Sequence, residues 1–455
     1  MVMMEKGVRF LLVTVMLATA VFFSESSSTA QAPKGEPIVM GYVGFTLSPG
    51  TRPCMDIQRI AVDEINQAGG VLGRPLKYVT ADNKGQTSLT VEGARHLLQA
   101  ESAKFISIEG RTEICLAAQE NSAAMFKDYP HILMLNGPTG MELTARVLED
   151  YEKYRFCFRD FDPEPAHYAQ NYYFWGTTWK RQLKPGANKL AFLWEDLEWT
   201  NAFRQGIPSL DMPTWEDLAM NLGYEIAFSQ PVAPRGTMYL PILQQIARSK
   251  ADRIYYISSW FTDTESFVKQ WADSAARDIP LDLYGGVSQT RAFWQMTGGK
   301  CLGVTGTITE TDIPMTEKTK PFYELAKKHN IPTQIHVHLA YADIYLFKKA
   351  IEKAGGVDDI DKLIKAMETV ETTYSMGTLS IETERVESFF HSRKRVNPYN
   401  PIVETYPGVY YQPIAQWRHE GEIQYLGGSC PENEDFWKPY GSPEDWVTPA
   451  ELRRR

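Results

Sequence analysis

Residues Ala61–Asn83 read AVDEINQAGGVLGRPLKYVTADN, and several local instructions follow one another inside that stretch. Ile57, Ile60, Ala61 and Ile65 recur at helical spacing, which predicts an amphipathic helix running into its start. Gly69-Gly70 ends the helix, because glycine adopts the left-handed closing conformation without a side-chain penalty. A tight turn leads into Leu76–Thr80, whose composition predicts a strand, and Asp82-Asn83 closes it with turn chemistry. Helix, stop, strand and loop in quick succession form the repeating unit of an α/β fold.

The same unit recurs on both sides. Ile38–Val43 is a short apolar run ending in Gly44, and the loop Phe45–Pro53 (FTLSPGTRP) carries Gly, Pro and Ser punctuation. Phe105–Ile108 and Ile132–Leu135 are two further buried strands with a helix between them. This rhythm implies a parallel sheet covered on both faces. It then starts again with strands at Leu190–Trp194, Tyr224–Phe228, Ile254–Ile257 and Leu281–Tyr284, separated by helical patterns such as Leu240–Ser249 and Thr264–Ala275. Beyond Thr307, helices around Tyr341–Ala354 and Asp361–Val370 lack matching strands and are expected to cover the first lobe. The last 70 or so residues, rich in Pro, Tyr and Trp, read as irregular. The fold class is α/β, with two doubly wound parallel-sheet lobes. Ligands bind beyond the carboxyl ends of such strands, and two facing sheets make a cleft that can close by hinge motion.

Lys6 and Arg9 precede an apolar run from Phe10 to Phe23. At about 14 residues it is shorter than the ~20 of a spanning helix, which predicts a signal peptide over residues 1–30, cleaved near Ala30. The protein is therefore expected in the periplasm. A net charge of −9 argues against nucleic acid, and a chain of this length calls for two domains. No GxSxG, HExxH, P-loop or GxGxxG with a following acidic partner occurs, so neither enzyme nor cofactor is expected. His336 and His338 read as structural. Cys54 and Cys115, each just after strands expected to be adjacent, are expected to form a disulfide; Cys301 with Cys430 is the second pairing, leaving Cys157 as a buried thiol.

The opening stretch closely resembles the Leu/Ile/Val-binding proteins, the amino-acid and amide branch of type I periplasmic solute-binding proteins of ABC importers. Ile132–Thr144 (ILMLNGPTGMELT), Asn188–Gly206, Ala340–Gly356 and Ser375–Leu379 agree with that family in order and spacing, so that the resemblance covers roughly residues 37–385. It implies three hinge crossings, near Phe158–Phe161, Thr307–Thr311 and Ser380–Glu384. One lobe would then comprise 37–158 plus 310–380, the other 159–309 plus 381–430, followed by an irregular tail over 431–455.

The resemblance also implies a site. The loop after the third strand supplies Gly110, Arg111, Thr112 and Glu113, and the loop after the fourth supplies Asn136, Gly137, Pro138 and Thr139. Hydroxyls and backbone N–H groups at helix starts suit a carboxylate, although Thr139 could equally be a helix N-cap. Arg111 and Glu113 depart from the small, Ser-rich residues of the family: Arg111 could clamp a carboxylate, or pair with Glu113 at the rim. Trp199 stands where the family presents an aromatic lid. Ser259, Trp260 and Phe261 follow a strand of the second lobe, and Phe161 and Asp162 follow the first crossing. Gly285-Gly286-Val287-Ser288 stands where amino-acid binders of the family place an acid, so an α-amino group would need Glu113, Asp162 or Glu195. The implied ligands are an amino acid, an amide, or an aromatic or aliphatic carboxylate, passed to ABC permease subunits. The competing readings are a sensor module of the same fold and an exported α/β enzyme.

Overall fold

The computed structural model describes residues 33–429 and 433–454. The expected signal peptide and Cys430 lie outside the described residues. The helix Thr51–Gln67 buries Ile57, Ala61, Val62 and Ile65. It closes where Gly70 donates to the Ile65 carbonyl at 2.8 Å. Gly70 has φ +75°, and a Cβ there would lie 2.1 Å from the Arg74 carbonyl oxygen, so the turn requires glycine. Asn66 then fixes where the next strand begins: it accepts from Leu76 N at 2.7 Å and donates to Leu76 O at 2.9 Å.

The first sheet contains β1 (Ile38–Gly44), β2 (Leu76–Asp82), β3 (Phe105–Glu109), β4 (Ile132–Asn136) and β5 (Cys157–Arg159), in the order β2-β1-β3-β4-β5. All of its pairings are parallel. β1 and β4 are buried along their whole length, because helices cover both faces. Phe105, Leu133, Leu346 and Phe347 share the core between sheet and helices, each contributing about 1.5–3 kcal/mol by leaving water. The helix Ile335–Ala354 returns to pack on Thr51–Gln67, as the sequence predicts.

The second sheet contains β6 (Lys189–Glu195), β7 (Glu225–Val232), β8 (Arg253–Ile257), β9 (Leu281–Tyr284) and β10 (Thr305–Thr307), all parallel. β11 (Glu371–Tyr374) and β12 (Gly377–Ser380) form a separate hairpin. β13 (Pro413–Trp417) and β14 (Ile423–Gly428) then extend the second sheet in antiparallel sense, giving β14-β13-β10-β9-β8-β6-β7. This corrects two expectations: the second sheet is mixed, and the end of the chain is not irregular. PIAQW in β13 is buried throughout, since it lies between β10 and β14. The region 431–455 includes the helices Glu434–Trp437 and Pro449–Arg454, and Arg453 pairs with Asp278 at 3.0 Å while lying over the Trp271 ring.

Between β12 and β13 the chain stays at the junction of the lobes. Ser392 bridges to Arg159 at the end of β5, and Ile381, Phe390 and Tyr410 pack in the first-lobe core before Pro413 enters the second sheet. Cys54, Cys115, Cys157 and Cys301 are all free and buried, so the expected Cys54–Cys115 disulfide is absent. The reason is directional. The Cys54 thiol turns to the Gly50 carbonyl and the Cys115 thiol to the Gly110 carbonyl, each within its own loop and helix start.

Candidate functional site

A cavity of about 900 Å³ opens between the two sheets, at the carboxyl ends of their parallel strands. It is the place where paired open sheets hold ligands. The loops after β1, β3 and β4 line one side, those after β6, β8 and β9 the other, and Phe161 and Asp162 lie at the first crossing.

Thr139 is 6% exposed and lines the cavity, and its buried hydroxyl has no hydrogen-bond partner. It is not an N-cap: the following helix is Glu142–Glu149, and Met141 precedes it. The loop that carries it is fixed from several directions. Arg159 donates to the Thr139 and Gly140 carbonyls at 2.9 and 2.7 Å, and Met141 N donates to Glu164 at 2.8 Å. Gly137 N donates to Asp160 at 3.2 Å, and Gly140 N to the Thr112 hydroxyl at 3.3 Å. Thr112 thus positions the loop as well as lining the cavity. Gly137 has φ +95°, and a Cβ on it would lie 2.7 Å from His336 Nδ1, which makes glycine obligatory beside Pro138.

Arg111 pairs with Glu113 at 2.9 Å and lies 5.8 Å from the Phe261 ring centroid, joining the two sides of the cleft mouth. Arg111 lines the cavity. Glu113 is not among the residues that line it, and its carboxylate pairs with Arg111. Asp162 borders the cavity, yet both its oxygens are taken. Arg393 donates to one at 2.9 and 2.6 Å, and Arg395 donates to the other. Burial alone would raise the Asp162 carboxyl, but the two guanidiniums outweigh it and hold the group well below the usual carboxylate range.

Glu195 is similarly committed. Ser259 reaches it through backbone N at 2.7 Å and hydroxyl at 2.8 Å, and Trp199 through Nε1 at 3.3 Å. It therefore sets the positions of Ser259 and the Trp199 ring, both of which line the cavity, as does Trp260. Glu109 is the remaining acid on the wall. Burial pushes it up to about 7, and Tyr42 donates to it at 2.8 Å.

Several lining residues were not legible as such. His336, read as structural, lines the cavity with Nδ1 unpartnered; burial, aided by Arg393, lowers it to about 4. His167 meets the Tyr284 hydroxyl through Nδ1 at 2.7 Å, has Nε2 unpartnered, and is lowered by burial to about 3. Both rings are neutral at pH 7. His338, in contrast, sits in the core with Nδ1 on Ser375. Tyr410 and Gln412 reach the cavity from the segment read as irregular. The only signal for the histidines was the position of His336 at a helix start; nothing local marked His167, Tyr410 or Gln412.

A profile of the family described as periplasmic binding protein matches residues 48–387. The chain is 24% identical over 325 residues to "Leu/Ile/Val-binding protein homolog 3" of Brucella melitensis, covering 70% of this chain and 79% of that protein. Among solved structures it resembles an ABC transporter substrate-binding protein from Sphaerobacter thermophilus, with TM-score 0.65, 17% identity, and coverage of 86% and 96%. It also resembles a solute-binding protein of an ABC transporter from Rhodopseudomonas palustris BisB5 in complex with 3,4-dihydroxybenzoic acid, with TM-score 0.63, 19% identity, and coverage of 86% and 95%. Fold and cleft together are those of an extracytoplasmic solute-binding protein. The chain belongs to the periplasmic binding protein family. No helix among the described residues is long and apolar enough to cross a membrane.

Proposed function

We propose that the interlobe cleft binds a small carboxylate with an aromatic or apolar body. The observation that carries this reading is the occupation of the acids that could answer an ammonium: Glu113 by Arg111, Asp162 by Arg393 and Arg395, and Glu195 by Ser259 and Trp199. The unpartnered Thr139 hydroxyl, held on a rigid loop, suits a carboxylate oxygen. Phe161, Trp199, Trp260 and Tyr284 offer apolar walls for the body of the ligand. The benzoic acid derivative bound by the R. palustris relative is of this chemical type.

In this reading the ligand shifts the lobes toward a closed arrangement, which docks on permease subunits in the periplasm after removal of a signal peptide near Ala30. An amino acid is the second reading, favoured by Glu109 on the cavity wall and by the name of the Brucella relative. Calorimetric titration with benzoate, its hydroxylated derivatives, leucine and leucinamide separates the two. The carboxylate reading expects at least one benzoate to bind about tenfold or more tighter than leucine, a gap of roughly 1.4 kcal/mol. Binding of leucine without any benzoate would overturn it.

A further inference from the structure

Two guanidiniums, one from each lobe, meet at Phe261. Arg111, on the loop after β3, lies 5.8 Å from the centroid of its ring, and Arg235, on the loop after β7, donates through Nε to its carbonyl at 3.2 Å. All three residues line the cavity and none is buried: Phe261 is 39% exposed, the Arg111 side chain 37%, and Arg235 is exposed. Arg111 has Glu113 on its Nε, a solvent-exposed pair of the kind that contributes little. Arg235 forms no ion pair among the described residues. Lys84, exposed on the loop after β2, is the third cation of the lining, against two acids, Glu109 and Asp162. Asp162 is already answered by Arg393 and Arg395. On a chain of net charge −9, the wall of the cleft carries the opposite balance.

We propose that Arg111 and Arg235 form a second anion subsite at the mouth of the cleft, which takes a second carboxylate carried by the ligand, so that the cleft selects dicarboxylates. The inference rests on the reading of the cleft as a carboxylate site and narrows its ligand class. A guanidinium presents a planar fork of donors that matches a carboxylate, and it stays charged at every pH the fold meets. Both arginines keep contact with water, so the anion is taken without the desolvation that a buried ion pair costs. One arginine belongs to each lobe, so an anion held between them favours the closed arrangement more than a monoacid does. The cavity of about 900 Å³ stands toward the upper end of the roughly 300–1,000 Å³ usual for ligand sites, which leaves room for a body longer than a single ring.

Calorimetric titration of the purified protein with matched acids tests the proposal: benzoate against isophthalate and terephthalate, and butanoate, hexanoate, octanoate and decanoate against their α,ω-diacids. At one body length at least, wild type is expected to bind the diacid about tenfold tighter than its monoacid, and the gain should shrink as salt is raised. Arg111→Gln and Arg235→Gln should each lower that ratio severalfold, and together bring it to about one. The wild-type ratio needs no variant to fold, and melting curves verify that the variants, both at exposed positions, do. If monoacids bind but no diacid gains on its partner, or if the gain survives both substitutions, the subsite is refuted while the carboxylate reading stands. If no acid of either series binds wild type, the carboxylate reading falls and the subsite falls with it.

Discussion

Arg393 donates through Nε and Nη2 to the same oxygen of Asp162, at 2.9 and 2.6 Å, and both side chains are excluded from solvent. Asp162 follows the first passage of the chain between the sheets, and Arg393 lies on the last. One carboxylate therefore ties the two passages together, with Arg395 on its other oxygen. Asp162→Ala leaves two buried guanidiniums uncompensated and should cost about 3–5 kcal/mol in urea unfolding. A loss below about 1 kcal/mol would show that the clamp is not holding the hinge. The sign with pH follows from the depressed carboxyl: its contribution is full above the unfolded value near 4 and is lost as pH falls below it. Wild type should thus lose stability on acidification below about pH 4 by a component that Asp162→Asn lacks.

Thr139→Val removes a buried hydroxyl that has no hydrogen-bond partner within the protein. Stability should stay level or rise by up to about 1 kcal/mol, while affinity for a carboxylate falls about fivefold or more. Trp199→Ala should also weaken binding without unfolding the protein, by removing an apolar wall. Melting curves beside calorimetric titrations check both. A stability loss at Thr139 equal to that of an ordinary core cut would mean that its role is structural.

Glu109 gives a pH test that separates ligand classes. It is pushed up to about 7 by burial, and it faces Tyr42 on β1, Thr51 and Cys54 of the helix Thr51–Gln67, and Asp160 beyond β5. A carboxylate ligand meets a second negative charge once Glu109 ionises, so its affinity should fall severalfold between pH 6.5 and 8.5. An ammonium-bearing ligand would bind more tightly over the same range. Asp160, raised by burial to about 6, titrates just below it, and Glu109→Gln isolates the step. A flat profile in wild type would place the ligand away from this wall.

The thiols Cys54, Cys115, Cys157 and Cys301 are buried, and burial raises all four above the ordinary thiol range, so they are expected to be unreactive in the native fold. Thiol titration should find them silent in native protein and all four available after unfolding without reductant. Mass-spectrometric detection of a Cys54–Cys115 crosslink would contradict the structure.

The features legible in the sequence were those whose chemistry is local. Gly69-Gly70 and Asn66 set a helix end and a strand start within a few residues, and the Thr139 loop follows directly from a strand end. The features that escaped depended on distance along the chain. Asp162 reads as a candidate ammonium partner until Arg393 and Arg395 arrive from a segment with no periodicity. His167 and Tyr284 become a pair only when the second lobe closes on the helix after the first crossing. PIAQW is short and opens on proline, so only its position between β10 and β14 makes it a buried strand. The cysteine pairing failed because strand adjacency says nothing about where two thiols point.

Occupation of the cleft by a small carboxylate is tested most directly by mass spectrometry of the ligand released on denaturing the protein as purified from its native host. A single small acid with an aromatic or apolar body, near one per chain, which rebinds wild type and rebinds Thr139→Val more weakly, is the expected result. A released ligand without a carboxylate, or one whose affinity ignores Thr139 and Trp199, would contradict it.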